Sequence, residues 1–492
     1  MKVVLNLAKK EQKALFVIFG GTGDLAQRKL YPALFNLYKR GYLKKHFAVI
    51  GTARRPWSNG YYRDVVRSSI DGMVNSQTQI DEFASHFYYQ SHNVNDVDHY
   101  ETLRVLADKL DQDYGLEGNR LYYLAMSPSF FGTICEHLKS QGLTKTAGYN
   151  RVIIEKPFGH DYASAKELND EISKYFPEEA TFRIDHYLGK EMIQNIMALR
   201  FGNSILSAIW NNKMISNIQV TLSESLGVEE RGGYYDTAGA LRDMVQNHIL
   251  QIVALLVMDR PDSYCAKDVR KRKVETFEAL KIYSPEEVAQ NFVRGQYGEG
   301  KDMVAYRDES MIAPDSMTET FVAGKLEVDN CDMAGVPIYI RTGKRLATKA
   351  TRIDIVFKQD DDSLFGGQGL ADNTVTINVE PDTGIDFTLN TKKIGQEFAT
   401  RQTNIGYRLT EEQVAKVPEA YERLILNALQ GNSVNFTHWD ELEYSWKFVD
   451  AIRNAWDQED LPVDYFPNYA CGTMGPQASD ELLAKAGHHW IF

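Results

Sequence analysis

The sequence predicts an α/β domain built on a parallel sheet, followed by a larger α+β domain with a big, mostly antiparallel sheet packed on helices. Two observations predict this. In the first part, continuous apolar runs of strand length alternate with helical periodicity, which is typical of a parallel sheet covered on both faces. In the second part, apolar and polar residues alternate within short segments, which is typical of half-buried antiparallel strands. The pattern changes near residue 185, so we expect domains at residues 1–185 and 186–492.

Length, charge and cysteine spacing limit the class of protein. A chain of 492 residues is too long for one ordinary core, and its net charge of −12 argues against general binding to nucleic acid or acidic membranes. No apolar run reaches about 18 residues and no signal peptide is evident, so we expect a cytoplasmic protein. Four widely separated cysteines without metal-ligand spacing are interpreted as free thiols, and no metal is expected: Cys135, Cys265, Cys331 and Cys471.

The first strand is expected at residues 14–19, where a continuous apolar run meets a glycine-rich turn. Residues 21–26 have the form G-x-G-x-x-A, in which the glycines let the backbone approach a pyrophosphate and Ala26 permits close helix packing. Asp24 and Gln27 are predicted to cap the helix that follows. Many strand-to-helix turns look similar, so the nucleotide-binding interpretation depends on the order of strand, turn and helix.

The second strand, at 47–50, ends close to two adjacent arginines, Arg54 and Arg55. An NAD site usually carries an acid at this strand end, whereas an arginine accommodates the 2′-phosphate of NADP. The pair therefore favours NADP, although a surface arginine pair would look the same and use of NAD stays open.

Further strands are expected at 121–125 and 151–154, and the latter runs directly into Lys156 and Pro157. Ligands of parallel sheets bind beyond the carboxyl ends of the strands, which is where this lysine lies. The alternatives are a functional lysine and a structural turn.

Residues 183–191, RIDHYLGKE, hold Asp185, His186, Tyr187 and Lys190 within six positions. A carboxylate can orient a base, and the other three side chains together can hold a phosphate. The glycine before Lys190 allows a sharp turn as a helix begins, and helix N-termini favour anions. The alternative is a polar turn whose charges are solvated.

In the second domain, the helix at 239–258 carries the residues of greatest interest. Glu224, Asp243, Asn247 and His248 are polar residues beside an apolar surface, and a neutral imidazole can act as a base near pH 7. A histidine in such a position is also compatible with an ordinary core residue. Strands are expected at 218–224, 321–328, 336–340, 353–357 and 375–379, and further helices at 419–429 and 445–456.

The chain resembles the glucose-6-phosphate dehydrogenases over nearly all of its length, and the likeness is closest to enzymes of lactic acid bacteria that use either cofactor. RIDHYLGKE is nearly diagnostic, and the other stretches that carry the resemblance are 20–35, 155–159, 233–248, 340–349, 472–476 and 478–480. The resemblance implies a Rossmann dinucleotide-binding domain ahead of a substrate-binding and dimerisation domain. It also implies oxidation of glucose 6-phosphate to 6-phosphoglucono-δ-lactone, with hydride transfer to NADP or also to NAD, in the pentose phosphate pathway.

The resemblance also implies the roles of individual residues. His248 is the general base that takes the proton of the C1 hydroxyl, and Asp185 orients it, which requires the two domains to meet. Lys29 and Lys156 stand between sugar and cofactor, and the Lys156–Pro157 bond is expected to be cis. Substrate contacts are implied for Lys156, His186, Tyr187, Lys190, Glu224, Asp243, Lys344 and Lys349. Cofactor contacts are implied for Gly20, Gly21, Thr22, Gly23, Asp24, Leu25, Arg54, Arg55 and Lys156.

Two other classes of function stay open at this point: another Rossmann-type sugar oxidoreductase, and a non-catalytic NADP-binding sensor on the same fold. RIDHYLGKE and the lysines favour a phosphorylated sugar. An exposed sheet face of this size rarely stays in water, and the resemblance implies pairing through the second domain, so we expect a homodimer.

Overall fold

The computed structural model describes residues 10–330, 332–359, 364, 370–396 and 398–492. The chain forms two compact units. The first unit comprises Met1–Gly189 with Pro418–Trp439, and the second comprises Lys190–Val417 with Asp440–Phe492. The predicted boundary at residue 185 stays a prediction. The units differ from the predicted domains in two respects. The first unit extends to Gly189, and the segment from Pro418 to Trp439, which was predicted in the second domain, belongs to the first unit.

Within the described part of the first unit, six strands form one parallel sheet. They are β1 (Ala14–Phe19), β2 (Phe47–Ala53), β3 (Phe87–Ser91), β4 (Arg120–Leu124), β5 (Asn150–Ile154) and β6 (Thr181–Arg183). Their order is β3-β2-β1-β4-β5-β6, and every pairing is parallel. This is the order of a Rossmann sheet, in which the strand order reverses between β1 and β4. The predicted Rossmann fold is therefore confirmed.

Helices cover this sheet at Tyr31–Lys39, Asn59–Ser69, Gln77–Ser85, Val97–Tyr114, Phe131–Ser140, Tyr162–Ser173 and Ala420–Gln430. The last of these comes from the second stretch of the unit. Its Tyr421, Leu424 and Ile425 are buried in the same core as Leu30 and Leu34 of the helix that follows the glycine turn. The burial of this apolar face explains why the segment belongs to the first unit although it follows the second sheet in sequence.

The predicted helix cap after the glycine turn is wrong. Asp24 already has helical backbone geometry, and its carboxylate lies 3.5 Å from the guanidinium of Arg28 one turn later. The Gln27 side chain donates to the Thr22 carbonyl at 3.0 Å instead. A short π-helical stretch, Ala26–Leu30, then leads into the helix Tyr31–Lys39.

In the second unit, eight strands form one mixed sheet over the residues that the structure describes. They are β7 (Ile215–Ser223), β8 (Phe292–Gly295), β9 (Phe321–Leu326), β10 (Ile338–Gly343), β11 (Ala350–Phe357), β12 (Thr374–Glu380), β13 (Gly384–Lys392) and β14 (Thr400–Arg408). Their order is β14-β13-β12-β11-β7-β10-β9-β8. Only β7 and β10 pair in parallel, so the prediction of a mostly antiparallel sheet is confirmed.

The helices of the second unit lie at Glu191–Gly202, Ser204–Ile209, Gly232–Ala240, Leu250–Val257, Ala266–Glu278, Pro285–Asn291, Glu411–Val414, Trp439–Asp457 and Ala478–Ala484. One predicted helix differs from expectation. The segment at 239–258 is interrupted at Gly239, whose φ of 66° and ψ of 173° are not helical, and it continues as a π-helix over Leu241–Ile249. Regular α-helix resumes only at Leu250. Helical periodicity in the sequence does not distinguish these two forms.

Cys135, Cys265 and Cys471 are free thiols, as predicted, and Cys331 lies outside the described residues. Among the helices that the structure describes, none combines the length and the apolar character needed to cross a bilayer.

Candidate functional site

The glycine turn after β1 brings backbone close to backbone. The amides of Gly20 and Gly21 donate to the Thr52 carbonyl at the end of β2, at 2.9 and 3.0 Å. Gly20 has a φ of +92°, which favours glycine, and a Cβ on Gly21 would lie only 2.8 Å from the Cα of Gly51. Side chains are therefore excluded here, and the turn leaves a backbone cradle at the start of a helix, where anions are favoured.

A cavity of about 310 Å³ adjoins this turn. Its walls come from the carboxyl ends of the strands, and they consist of Gly20, Thr22, Thr52, Ala53, Arg54, Arg55, His92, Asn93, Val94, Asn95, Met126 and Phe130. Both predicted arginines line it and are exposed. The guanidinium of Arg55 lies 5.5 Å from the ring centre of Trp57, so Arg55 stacks on an aromatic face while Arg54 extends from the strand end beside it.

His92 lines the same cavity and was not among the predicted site residues. Its side chain is 1% exposed, and neither ring nitrogen has a hydrogen-bond partner among the described residues. Burial, together with the smaller effect of the nearby imidazole of His99, lowers the pKa of His92 to about 4, so the ring is neutral near pH 7. A neutral imidazole can donate one hydrogen bond and accept another. Its position directly after β3 was the signal available in the sequence.

The bond between Lys156 and Pro157 is cis, as the resemblance implies. The preceding residue, Glu155, is buried at the end of β5, and its carboxylate accepts a hydrogen bond from Tyr123 at 2.6 Å. Burial raises the pKa of Glu155, while the hydrogen bonds of Tyr123 and Tyr421 oppose that rise. These contacts hold the turn that carries Lys156 beyond the carboxyl edge of the sheet.

Lys29 is exposed on the π-helical stretch after the glycine turn. Its ammonium lies 3.1 Å from the carboxylate of Glu419, the residue that caps the helix Ala420–Gln430. Glu419 also accepts from the Tyr421 amide at 2.7 Å, so one carboxylate serves both the lysine and the helix N-terminus. The N-cap residue of the Ala420–Gln430 helix thus also holds the ammonium of Lys29, a predicted catalytic residue.

The RIDHYLGKE segment begins within the first unit. Asp185 is buried, and one of its oxygens accepts from the Tyr187 amide at 2.9 Å. His186 is half-buried, with its ring 4.8 Å from that of Tyr187. Gly189 does not serve as a left-handed turn. A Cβ there would lie 2.8 Å from the carbonyl oxygen of Ala420, so glycine is needed for close packing against the neighbouring helix.

Lys190 begins the second unit and is the N-terminal flanking residue of the helix Glu191–Gly202. Its side chain is largely buried, and its ammonium lies 2.6 Å from the carboxylate of Glu380 at the end of β12. A cation beside a helix N-terminus suits a doubly charged anion. Glu380 was not predicted, and it holds the ammonium in place.

Glu224 and Lys344 form a second ion pair in this unit, at 2.5 Å. Glu224 follows β7 and Lys344 follows β10, the two parallel neighbours, so their carboxyl ends lie side by side. The Lys344 ammonium also lies 5.0 Å from the ring centre of Tyr235. Lys349 is exposed just before β11.

The predicted base, His248, is 1% exposed and lies in the π-helix Leu241–Ile249 together with Asp243, which is also buried. The hydroxyl of Tyr234 lies 3.5 Å from the Asp243 carboxylate, whose charge, after burial, raises the pKa of Tyr234. The residue before the base, Asn247, accepts from the His248 amide through its side chain at 2.6 Å. The π-helix thus carries a buried imidazole and a buried carboxylate, and both groups can take part in proton transfer.

The predicted residues fall into two sets. The first unit holds the glycine turn, Lys29, Arg54, Arg55, Lys156, Asp185, His186 and Tyr187. The second unit holds Lys190, Glu224, Asp243, His248, Lys344 and Lys349. The glycine turn, both arginines and His92 can hold a dinucleotide. Lys190, Lys344 and the polar residues of the π-helix can hold and deprotonate a polyhydroxylated anion.

Known proteins match this chain along nearly its whole length. Residues 17–195 match the family model "Glucose-6-phosphate dehydrogenase, NAD binding domain", and residues 197–491 match "Glucose-6-phosphate dehydrogenase, C-terminal domain". Glucose-6-phosphate 1-dehydrogenase of Streptococcus pneumoniae is 51% identical, covering 98% of this chain and 97% of that protein. The enzyme of Leuconostoc mesenteroides is 47% identical, covering 98% and 99%. A solved structure of glucose-6-phosphate dehydrogenase in complex with glucose 6-phosphate has a TM-score of 0.90 and 35% identity, covering 98% and 99%.

Proposed function

This chain belongs to the glucose-6-phosphate dehydrogenase family, and from that premise we infer that it oxidises glucose 6-phosphate to 6-phosphoglucono-δ-lactone, the first step of the pentose phosphate pathway. The observation that carries this conclusion is the pair of family matches, which together cover residues 17–195 and 197–491. Absorbance of NADPH should rise when the purified protein receives NADP and glucose 6-phosphate. No rise at any substrate concentration would favour a non-catalytic sensor, and an equal rise with unphosphorylated glucose would favour a different sugar oxidoreductase.

For the proton transfer, we propose His248 as the general base that removes the proton of the C1 hydroxyl. Its burial supports this role, and so does its place in the π-helix that also carries the buried Asp243. Asp185 is proposed as the carboxylate that orients the imidazole and stabilises the imidazolium as it forms. The two residues belong to different units, so kinetics on single variants is the test of this pairing.

For the substrate, we propose that His186, Tyr187 and Lys190 grip the 6-phosphate. Glu224, Asp243, Lys344 and Lys349 bind the hydroxyls and complete the sugar site, while Lys29 and Lys156 separate sugar from cofactor. The ion pairs of Lys190 with Glu380 and of Lys344 with Glu224 support these roles, because each keeps an ammonium positioned in a protein of net charge −12. A phosphate can then join or replace the carboxylate on Lys190.

The cofactor is NADP, which accepts the hydride of C1 when it is bound. The residues present fit it, because Gly20 and Gly21 have no room for side chains and let a ligand approach the backbone. The adjoining cavity offers two arginines and a buried imidazole that has no hydrogen-bond partner among the described residues. We propose that the pyrophosphate lies against the glycines of the turn and is held by the backbone amides of Thr22, Asp24 and Leu25. Arg54 and Arg55 are proposed to hold the 2′-phosphate. The balance between NADP and NAD then depends on the arginines.

We predict that replacing both arginines, Arg54→Ala with Arg55→Ala, raises the KM for NADP by at least about tenfold and leaves the KM for NAD within about twofold. The reason is that only NADP carries a 2′-phosphate, and one charge-assisted contact contributes roughly 1.5–3 kcal/mol. Arg67→Ala is the matched control, because Arg67 is a surface arginine of the same unit that pairs with Asp64 and Asp81. Parallel losses for both cofactors would mean that the arginine pair supports the fold or the adenine instead.

For assembly, we propose a homodimer that pairs through the second domain, residues 186–492. Cross-strand pairing puts apolar side chains of β13 and β14 on one face, where Ile385 lies opposite Tyr407 and Phe387 lies opposite Ile405. Ile405 is 56% exposed and Tyr407 is 50% exposed. An apolar stripe on an edge hairpin supports burial against a second copy by a two-fold contact.

Sedimentation at micromolar protein should give about 112 kDa, twice the chain mass of 56.0 kDa. Ile405→Asp should shift the protein to the monomer mass, because a charge is costly to bury in an apolar contact. Gln402→Asp, on the other face of the same strand, should leave the dimer intact. A wild-type protein that is stable and fully active as a monomer would contradict the proposal.

The free thiols of Cys135, Cys265 and Cys471 support a reducing compartment, and we propose the cytoplasm.

A further inference from the structure

The helix that carries His248 is held in an uncommon form. Residues Leu241–Ile249 form a π-helix, in which hydrogen bonds join residues five apart. Asp243 and His248 are five positions apart. In an α-helix they would point about 140° away from each other, since each residue turns the helix by about 100°. The π-helical winding turns each residue by less, so it brings the two side chains to nearly the same face. The direction in which the His248 imidazole faces therefore depends on this local winding.

A break in the chain precedes the π-helix. Gly239 has a φ of +66° and a ψ of 173°, which only glycine adopts readily, and the helix Gly232–Ala240 ends there. The break leaves backbone amides of the new helix without helical partners. Glu319 supplies two acceptors for these amides. Its backbone carbonyl accepts from the Ala240 amide at 2.9 Å, and its carboxylate accepts from the Leu241 amide at 3.0 Å.

Glu319 is held firmly for this task. Its side chain is fully buried, and the same oxygen, Oε1, accepts from the guanidinium of Arg453 at 2.6 Å. Glu319 stands just before β9, so the sheet fixes its backbone. Residues that precede β9 also hold the helix Gly232–Ala240, on the other side of the break. The hydroxyls of Ser316 and Tyr306 donate to the carboxylate of Asp236, at 2.5 and 2.9 Å.

We propose that Glu319 is a positioning residue, which fixes the start of the π-helix and thereby the direction in which His248 faces. The inference rests on the role proposed for His248. One acceptor atom makes both contacts: Oε1 accepts from the Leu241 amide and from the Arg453 guanidinium. The other carboxylate oxygen, Oε2, has no hydrogen-bond partner among the described residues. The position of Oε1, more than the charge of the carboxylate, should therefore matter.

Two substitutions separate position from charge. Glu319→Gln keeps an oxygen where Oε1 lies and loses the charge, whereas Glu319→Asp keeps the charge and withdraws the oxygen by one carbon–carbon bond. Misplacing a catalytic group by about 1 Å can cost up to about a hundredfold in rate. We expect kcat to fall by between about tenfold and a hundredfold in Glu319→Asp, and by less than about threefold in Glu319→Gln. KM for NADP should stay within about twofold in both.

Glu441→Asp is the matched control. Glu441 is an equally buried carboxylate that pairs with Lys273 at 2.7 Å and accepts from Gln251, in the α-helical continuation of the same helix. Its shortening should lower the melting temperature without lowering kcat more than about threefold. If it lowers kcat as much as Glu319→Asp does, or if Glu319→Asp is as active as Glu319→Gln, the inference is wrong.

Gly239→Ala provides a second route, because a Cβ there would lie 2.7 Å from the carboxyl carbon of Glu319 and displace it. It should lower kcat as Glu319→Asp does, and full activity would overturn the inference. The side-chain ¹⁵N resonances of His248, identified by their loss in His248→Asn, should move in Glu319→Asp and stay in Glu319→Gln. Unmoved resonances in Glu319→Asp would contradict the positioning role whatever the role of His248, and this separates the two proposals.

Discussion

Replacement of His248 by Asn should lower kcat by at least about 10³-fold and leave KM for glucose 6-phosphate within a few-fold. General-base catalysis contributes about 10²–10⁴-fold, and an amide cannot accept the proton of the C1 hydroxyl at neutral pH. Asn is close in size to the part of the imidazole nearest the backbone, so the buried site should keep its shape. The measurement is steady-state kinetics with saturating NADP.

Asp185→Asn is the informative comparison for the base. The imidazole remains in that variant and loses its proposed orienting partner, so the loss in kcat should be smaller than in His248→Asn. His86→Gln is a matched control, since His86 is a buried histidine of the first unit whose ring hydrogen-bonds to the Phe47 carbonyl at 2.7 Å, and it has no part in the proton transfer. Its kcat should stay within a few-fold. A His248→Asn variant with a tenth of the wild-type kcat would remove His248 from the role of base.

Lys190→Ala should raise KM for glucose 6-phosphate by roughly tenfold to a hundredfold. A charge-assisted contact with a dianion contributes roughly 1.5–3 kcal/mol, and about 1.4 kcal/mol corresponds to a factor of ten. The effect on KM for unphosphorylated glucose should be slight, because that sugar has no phosphate for the ammonium to hold. Comparison of both sugars in one assay gives the result, and equal effects on the two would refute the assignment.

Two further variants control the Lys190 experiment. Lys358→Ala removes an exposed lysine of the same unit that donates to the Asn212 carbonyl at 2.7 Å, and KM should not change. Glu380→Gln removes the charge of the carboxylate that lies 2.6 Å from the Lys190 ammonium. Because that charge competes with phosphate for the same cation, KM for glucose 6-phosphate should be unchanged or lower. A large rise would mean that Glu380 is needed to position the lysine.

Several parts of the site are predictable from the sequence because they are contiguous. The glycine turn, the Lys156–Pro157 turn and RIDHYLGKE each carry their chemistry within a few residues, and continuous apolar runs mark β1, β2 and β5 as buried strands. The alternating segments likewise predict the mostly antiparallel sheet, which the structure confirms. In each case the informative pattern lies within one short stretch of the chain.

The pairing of the charged residues was decided by tertiary structure. Lys190 and its partner Glu380 are 190 positions apart, and Glu224 and Lys344 are 120 positions apart. No local pattern links such residues, because sheet order and register bring them together. The same holds for the helix Ala420–Gln430, whose periodic apolar face is evident in the sequence although the core that it packs into is not.

The fold class, the family resemblance and the residue types that the reaction needs can therefore be read from the amino-acid sequence. The direction in which these side chains face depends on packing between distant segments. Helical periodicity at 239–258 is compatible with one straight α-helix, yet a non-helical glycine and the buried carboxylate of Glu319, brought from before β9, are found where a π-helix begins. The physical reason is that amides at a helix break need acceptors from elsewhere, and only packing can bring a distant carboxylate to them.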